Sequence, residues 1–272
     1  MSKLQRLAVF NAIALLLHII AALVVQSKWI NELSVGEVSD RYPTLLTPAG
    51  FTFSIWALIY FGLLLFCTYH LFAAFRLNEN VTSNKKLKHS YPWFILNNVA
   101  TAVWLIAWTH EKLLLSVLLI ILQLVSLIIL HNKLCIHDAT TPMRIKVCTQ
   151  FPISIYFGWI TVATVANIST YLTSTGWDQW DISAINWAIT LIAILTIVTI
   201  WVMNRRLNVI FGLVVSWGLF GILVRLTTEN RENYEPVIYT IYGALMLVGF
   251  NLLVALIRNL RKPDARRRPQ IS

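Results

Sequence analysis

TQFPISIYFGWITVATVANISTYLT, residues 149–173, decides the fold. It runs for 25 residues without a charged side chain. As an α-helix it rises about 37 Å, more than the roughly 30 Å hydrocarbon core of a bilayer. Pro152 falls near its start, where a missing backbone N–H costs little. At about 100° per residue, Pro152, Tyr156, Trp159, Ala163 and Asn167 share one face. A membrane-crossing helix with an aromatic and amide stripe is therefore the first expectation.

Seven further apolar runs extend the pattern: 7–26, 51–75, 94–109, 113–131, 184–203, 208–226 and 237–257. The run at 94–109 is the shortest and, with Asn97, Asn98 and Thr101, the most polar. The whole chain is 57% hydrophobic and 12% charged. Soluble domains carry about 25% charged residues, so most of this chain has no water to face. The first run exceeds a signal-peptide core of about 7–15 residues and no A-x-A site follows it. A retained first helix is expected, giving an all-α integral membrane protein of eight spans in contact with the lipid bilayer.

Charge sets the sidedness. Alternate loops, starting at the N-terminus, carry Lys3 and Arg6; Arg76, Lys85, Lys86 and Lys88; Lys133, Arg144 and Lys146; Arg205 and Arg206; and Arg258, Arg261, Lys262, Arg266, Arg267 and Arg268. These are 17 of the 22 basic residues, against five in the other set: Lys28, Arg41, Lys112, Arg225 and Arg231. Acids divide 3 against 9 in the opposite sense. Basic residues are retained on the cytoplasmic side, so both termini are expected in the cytoplasm, most simply at a bacterial inner membrane. The net charge of +10 then anchors topology and implies no nucleic-acid partner.

The spans contain no well-buried Asp or Glu. Ion-coupled transporters place carboxylates at the midplane, so ion-coupled transport is not expected. No Walker loop, G-x-S-x-G, H-E-x-x-H or kinase-like set occurs, and no catalytic residues are assigned. Cys67, Cys135 and Cys148 have neither disulfide nor zinc spacing and read as free thiols, so no metal site is expected. The in-span polar residues Asn11, His18, Asn97, Asn98, Thr101, Gln123, Asn167, Asn186, Ser216 and Asn251 are expected to hydrogen-bond between helices. His18 and His70 could ligate haem iron, but no partner at ligand spacing supports that over packing.

Two more spans carry stripes like that of 149–173. Phe53, Trp56 and Tyr60 share a face of the second, and Asn97, Thr101, Trp104 and Trp108 a face of the third. Such stripes make either an aromatic packing seam or the walls of a pocket for a flat, apolar ligand. Trp93, Trp177, Trp180 and Trp187 sit at helix ends, where interfacial tryptophans belong.

These residues resemble the TspO/translocator family, the tryptophan-rich sensory proteins or peripheral benzodiazepine receptors. The family pattern P-Y-x-x-W-x-x-F-A-x-x-L-N is met by Tyr156, Trp159, Ala163 and Asn167, with Ile155 in place of the proline. The pattern P-P-G-W-x-F-x-x-x-W-x-x-L-Y corresponds to Pro48, Gly50, Phe53, Trp56 and Tyr60, with the Phe-to-Trp gap one residue shorter. In the third span Asn97 and Trp104 fit, while the family's middle Trp-Ser is absent. The resemblance covers about residues 1–173 and implies a TspO-like five-helix bundle, followed by three additional helices over 174–258 and a basic tail over 259–272. It implies an intramembrane pocket closed by the 27–50 loop, with porphyrin or haem as ligand and no obligatory cofactor. The implied ligand-binding set is Trp29, Tyr42, Phe53, Trp56, Tyr60, Asn97, Trp104, Tyr156, Trp159, Ala163 and Asn167. A homodimer is also implied.

Three functions remain open on the sequence: a tetrapyrrole-type sensor, a non-ion-coupled permease for a small hydrophobic substrate, and an enzyme degrading bound porphyrin through a redox-active tryptophan. Trp201, Trp217, Tyr239 and Tyr242 do not repeat the 149–173 spacing, so no second pocket is expected in the last three helices. Gly212 and Ser216 are spaced for close helix contact, so these helices could pack beside the five-helix unit or take the dimer partner's place.

Overall fold

The structure, a computed structural model, describes residues 1–76, 82–134, 141–228 and 234–261. Cys135, Arg231 and the tail from Lys262 lie outside the described residues, as do the side chains of Lys85, Lys86 and Lys88. Eight long helices are described: α1 (Lys3–Gln26), α2 (Ile55–Arg76), α3 (Thr82–Thr109), α4 (Leu113–Lys133), α5 (Phe151–Ser174), α6 (Ala184–Arg206), α7 (Val209–Thr228) and α8 (Glu235–Arg261). The described residues include no strand. The protein is an all-α integral, multi-pass membrane protein.

The helices begin where the sequence caps them. Ser2 accepts from Gln5 N–H while the Gln5 side chain accepts from Ser2 N–H, a reciprocal box that starts α1 before its apolar run. Ser183 caps α6 through Asn186 N–H. Asn208 caps α7 through Phe211 N–H, and its amide donates to Ser154 Oγ at 3.1 Å, tying α7 to α5. Only Leu207 and Asn208 separate α6 from α7, so the two run antiparallel as neighbours.

Five helices close a ring. α1 packs on α2 and α3, α4 lies between α3 and α5, and α5 returns to α2. α7 packs on the outside of α5 and on the 3-10 turn Gly50–Ser54 that leads into α2, while α6 and α8 pack on α7 and on each other. The close α5–α7 approach depends on glycines. A Cβ at Gly158 would lie 2.9 Å from Val214 Cβ, and one at Gly218 would lie 2.8 Å from Val162 Cγ1. Gly212 instead faces Met203 of α6 and Leu252 of α8. Gly212 does not face the five-helix ring, whereas Gly218 and Gly221 do. Through α7, the last three helices pack beside the ring.

Among the described residues, seven helices are long and apolar enough to cross a membrane, and α3 is not one of them. Its polar side chains are spent inside the ring. His18 Nδ1 pairs with Asn98 Oδ1 at 2.9 Å, Asn97 Nδ2 donates to Gln123 O at 3.0 Å, and Thr101 Oγ1 meets both Gln123 Oε1 at 2.9 Å and Tyr156 Oη at 2.5 Å. Paired this way, they join α3 to α1, α4 and α5. His70 Nε2 likewise meets Thr149 Oγ1 at 2.9 Å. Asn186 is an exception in the expected set, being exposed at the start of α6.

Candidate functional site

The three stripes meet at the end of the ring that carries the 27–50 loop. Phe53 and Trp56 enter from the start of α2, Trp104 and Trp108 from the last turns of α3, and Trp159, Ala163 and Asn167 from α5. Val162, Ala166 and Thr170 complete the α5 wall. The loop supplies the roof through Val35, Ser39 and Pro48. A two-turn helix, Val35–Arg41, carries the first two of these.

The rings around Trp159 are set at steep angles. Phe53 and Trp56 both meet Trp159 edge to face, with centroids at 5.9 and 6.5 Å. Trp104 and Trp108 stack at 5.7 Å with 18° between planes. The space left among them is about 40 Å³. That accommodates water-sized guests only, since drug-sized ligands occupy about 300–1,000 Å³. Three lining residues carry buried polar atoms with no hydrogen-bond partner among the described residues: Trp104 Nε1, Trp159 Nε1 and Asn167 Oδ1. Two donors and one acceptor thus stand unsatisfied around one apolar cavity, an arrangement that costs stability unless something pairs with them.

Six of the eleven residues implied by the resemblance line this cavity: Phe53, Trp56, Trp104, Trp159, Ala163 and Asn167. The other five do not. Tyr60 stacks behind Trp56 at 5.5 Å, and Tyr156 lies edge-on to Trp56 at 6.0 Å with its hydroxyl on Thr101. Asn97 is turned to α4, where its amide is spent on the Gln123 carbonyl. Trp29 is 81% exposed at the loop tip. Tyr42 donates to Glu111 Oε2 at 2.5 Å and braces the loop. Trp108, named in the α3 stripe but not in the implied set, both lines the cavity and holds its roof, donating from Nε1 to Val35 O at 3.0 Å. Its position four residues after Trp104 was the available signal.

The roof is tied down at its polar rim. Arg41 and Tyr42 both reach Glu111, Asp40 pairs with Arg225 of α7, and Lys28 Nζ lies 2.7 Å from Glu37 Oε1. Lys28 and the Ser34 hydroxyl and N–H hold the Glu37 carboxyl down to about 2, so it stays charged in ordinary buffers. Exposed ion pairs of this kind contribute little each. Glu111→Gln weakens two of these ties together. We expect faster amide exchange across Val35–Arg41 in this variant, with α3 and α5 unchanged. Equal exchange in parent and variant would show that Glu111 does not hold the roof.

Comparison with curated proteins and with solved structures finds no match. A family model described as TSPO-like protein matches residues 8–256. The match runs well past Thr173 and takes in α6, α7 and most of α8, further than the family patterns quoted above reach. In the structure α7 packs on α5 and on the turn that leads into α2. The chain therefore belongs to the TSPO-like protein family.

Proposed function

We propose that the protein binds flat, hydrophobic ligands of the porphyrin type in the tryptophan-lined cavity and reports their presence through the 27–50 loop. The observation that carries this is the cluster of unsatisfied Trp104 Nε1, Trp159 Nε1 and Asn167 Oδ1 in a cavity walled by four indoles. A planar ring would gain stacking and burial against the indoles. Its polar edge would pair with the orphan donors and the carbonyl, at about 0.5–1.5 kcal/mol each. The cavity is far smaller than such a ring, so binding requires the roof helix Val35–Arg41 to lift. Its ties lie at the surface, where they can be broken cheaply. Occupancy would thereby be converted into a change in loop position, which suits a sensor.

The test is a titration of the purified protein with protoporphyrin, following tryptophan quenching, repeated with ligand-loaded vesicles. Saturable quenching without flux is expected. Flux would make the protein a permease, and no saturable quenching would remove the ligand reading.

We propose further that both termini face the cytoplasm, as at a bacterial plasma membrane. The 17-to-5 basic asymmetry supports this. Tags at Lys133, Arg205 and the C-terminus should be cytoplasmic, and tags near Asp40 and Asp178 external. An external C-terminal tag contradicts the assignment.

A further inference from the structure

A second and larger cavity, about 590 Å³, lies at the same end of the bundle but outside the ring. Both parts of the chain build it. Leu45 and Leu46 of the first loop and Leu172 of α5 form one side, and Trp187 of α6 and Leu226 of α7 the other, with Trp177 from the loop between α5 and α6. Its volume falls in the range of small-molecule sites. Trp177 packs edge to face on Trp180 and Trp187, with centroids at 5.2 and 5.3 Å, an aromatic cluster of the kind that suits a membrane interface.

The charged part of the lining is the Asp40–Arg225 pair. The two partners are unequally placed. The Arg225 side chain is 17% exposed and set in the wall, whereas the Asp40 side chain is 57% exposed. Asp40 is the more exposed of the two and can turn out into water.

We propose that this outer cavity binds a hydrophobic organic carboxylate, whose carboxylate replaces Asp40 on Arg225 and whose flat apolar body lies against Trp177 and Trp187. Guanidinium presents a planar fork of donors that a carboxylate matches with two hydrogen bonds. Exchanging one carboxylate for another keeps the charge of Arg225 compensated, and Asp40 regains full hydration. The apolar walls supply the net gain, which a small inorganic anion would not collect.

The outer cavity also borders the inner one. Between them lies a narrow gap of about 10 Å³. Leu46 and Leu191 line both this gap and the outer cavity, while Val162 and Ala166 line both the gap and the inner cavity. Asp40 sits on the same short helix whose Val35 and Ser39 roof the inner cavity. Displacing Asp40 from Arg225 releases one tie on that roof. The outer site is thus an antechamber whose occupancy loosens the inner lid. Its existence does not depend on what the inner cavity binds.

The test uses the full chain in lipid nanodiscs with pyrenebutyrate and its neutral counterpart pyrenebutanol, reading energy transfer from tryptophan to pyrene. Arg225→Gln should weaken pyrenebutyrate binding at least tenfold and change pyrenebutanol less than twofold. Asp40→Asn, which removes the competing carboxylate and keeps Arg225, should tighten pyrenebutyrate severalfold. Unchanged pyrenebutyrate affinity in a folded Arg225→Gln protein overturns the proposal. If that variant fails to fold, an unchanged or weaker affinity in Asp40→Asn overturns it instead. Loss of pyrenebutyrate binding in Trp159→Ala but not in Arg225→Gln would place the probe in the inner cavity, overturning the outer site and leaving the inner one standing.

Discussion

Trp159→Ala should weaken porphyrin binding by tenfold or more, about 1.4 kcal/mol per decade. Trp159 stands at the centre of the candidate cavity, 2% exposed, with Phe53 and Trp56 both edge-on to it. Truncation removes a stacking surface worth about 0.5–1.5 kcal/mol and an N–H that has no partner among the described residues. Removing so large a buried ring also costs about 3–5 kcal/mol of folding stability, so retained helicity must be established first. Trp159→Phe separates the two contributions: it keeps an aromatic face, loses the N–H, and should weaken binding only severalfold. Trp201→Ala is the control, since Trp201 lies 59% exposed on α6, away from both cavities. If Trp159→Ala folds normally and binds porphyrin as tightly as the parent, the stripe is a packing seam and the ligand reading loses its main support.

Helical phase brings some of the expected residues to one cavity and leaves others outside it. It gives the angle of a residue around its helix but not its depth along the bundle. Phe53, Trp56, Trp104, Trp159, Ala163 and Asn167 share both angle and depth, and they line the cavity. Asn97 has the angle of Trp104 but lies seven residues earlier, about 10 Å along the axis. At that depth α3 faces α4, and the amide goes to Gln123 O. Tyr60 and Tyr156 are likewise one turn below the cavity, where they floor it through Trp56. Loop residues have no phase at all. Nothing in the sequence shows that Trp29 is exposed or that Tyr42 turns to Glu111.

The eight long helices were legible because seven are apolar enough by themselves and the charge alternation calls for one more. α3 shows why apolarity alone falls short: Asn97, Asn98 and Thr101 lower its hydropathy, yet their partners are His18, Gln123 and Tyr156 on neighbouring helices. Pairing between distant residues is invisible to a window average. The outer cavity was illegible for the same reason. Its walls come from the first loop, α5, α6 and α7, and only the docking of α7 on α5 brings Asp40 to Arg225.

That docking is exposed to a single substitution. In a bilayer, lipid tails are as apolar as the helices, so association rests on close packing and on hydrogen bonds. α7 has both at one point. Ala49 N–H donates to Gly221 O at 3.0 Å, Trp217 Nε1 donates to Thr52 O at 3.0 Å, and a Cβ at Gly221 would overlap the Thr52 side chain. Phe51 adds an edge-on contact with Trp217 at 5.4 Å. Gly221→Leu should therefore force α7 off the 3-10 turn that starts α2, at a cost of about 1–3 kcal/mol for overpacking alone, and more as the two hydrogen bonds open. For a chain of this length the apparent Tm should fall by about 2–10 °C. The same displacement pulls Thr52 and Phe53 from beneath the roof, so porphyrin binding should weaken together with stability. Gly243→Leu is the matched control, because a Cβ at Gly243 meets nothing within 4 Å. Thermal unfolding of both variants in one detergent, followed by circular dichroism, decides the matter. Equal Tm values for Gly221→Leu and Gly243→Leu would mean that the α7 contact is not built on Gly221. A lowered Tm with unchanged porphyrin affinity would mean that the three added helices brace the fold without shaping the cavity.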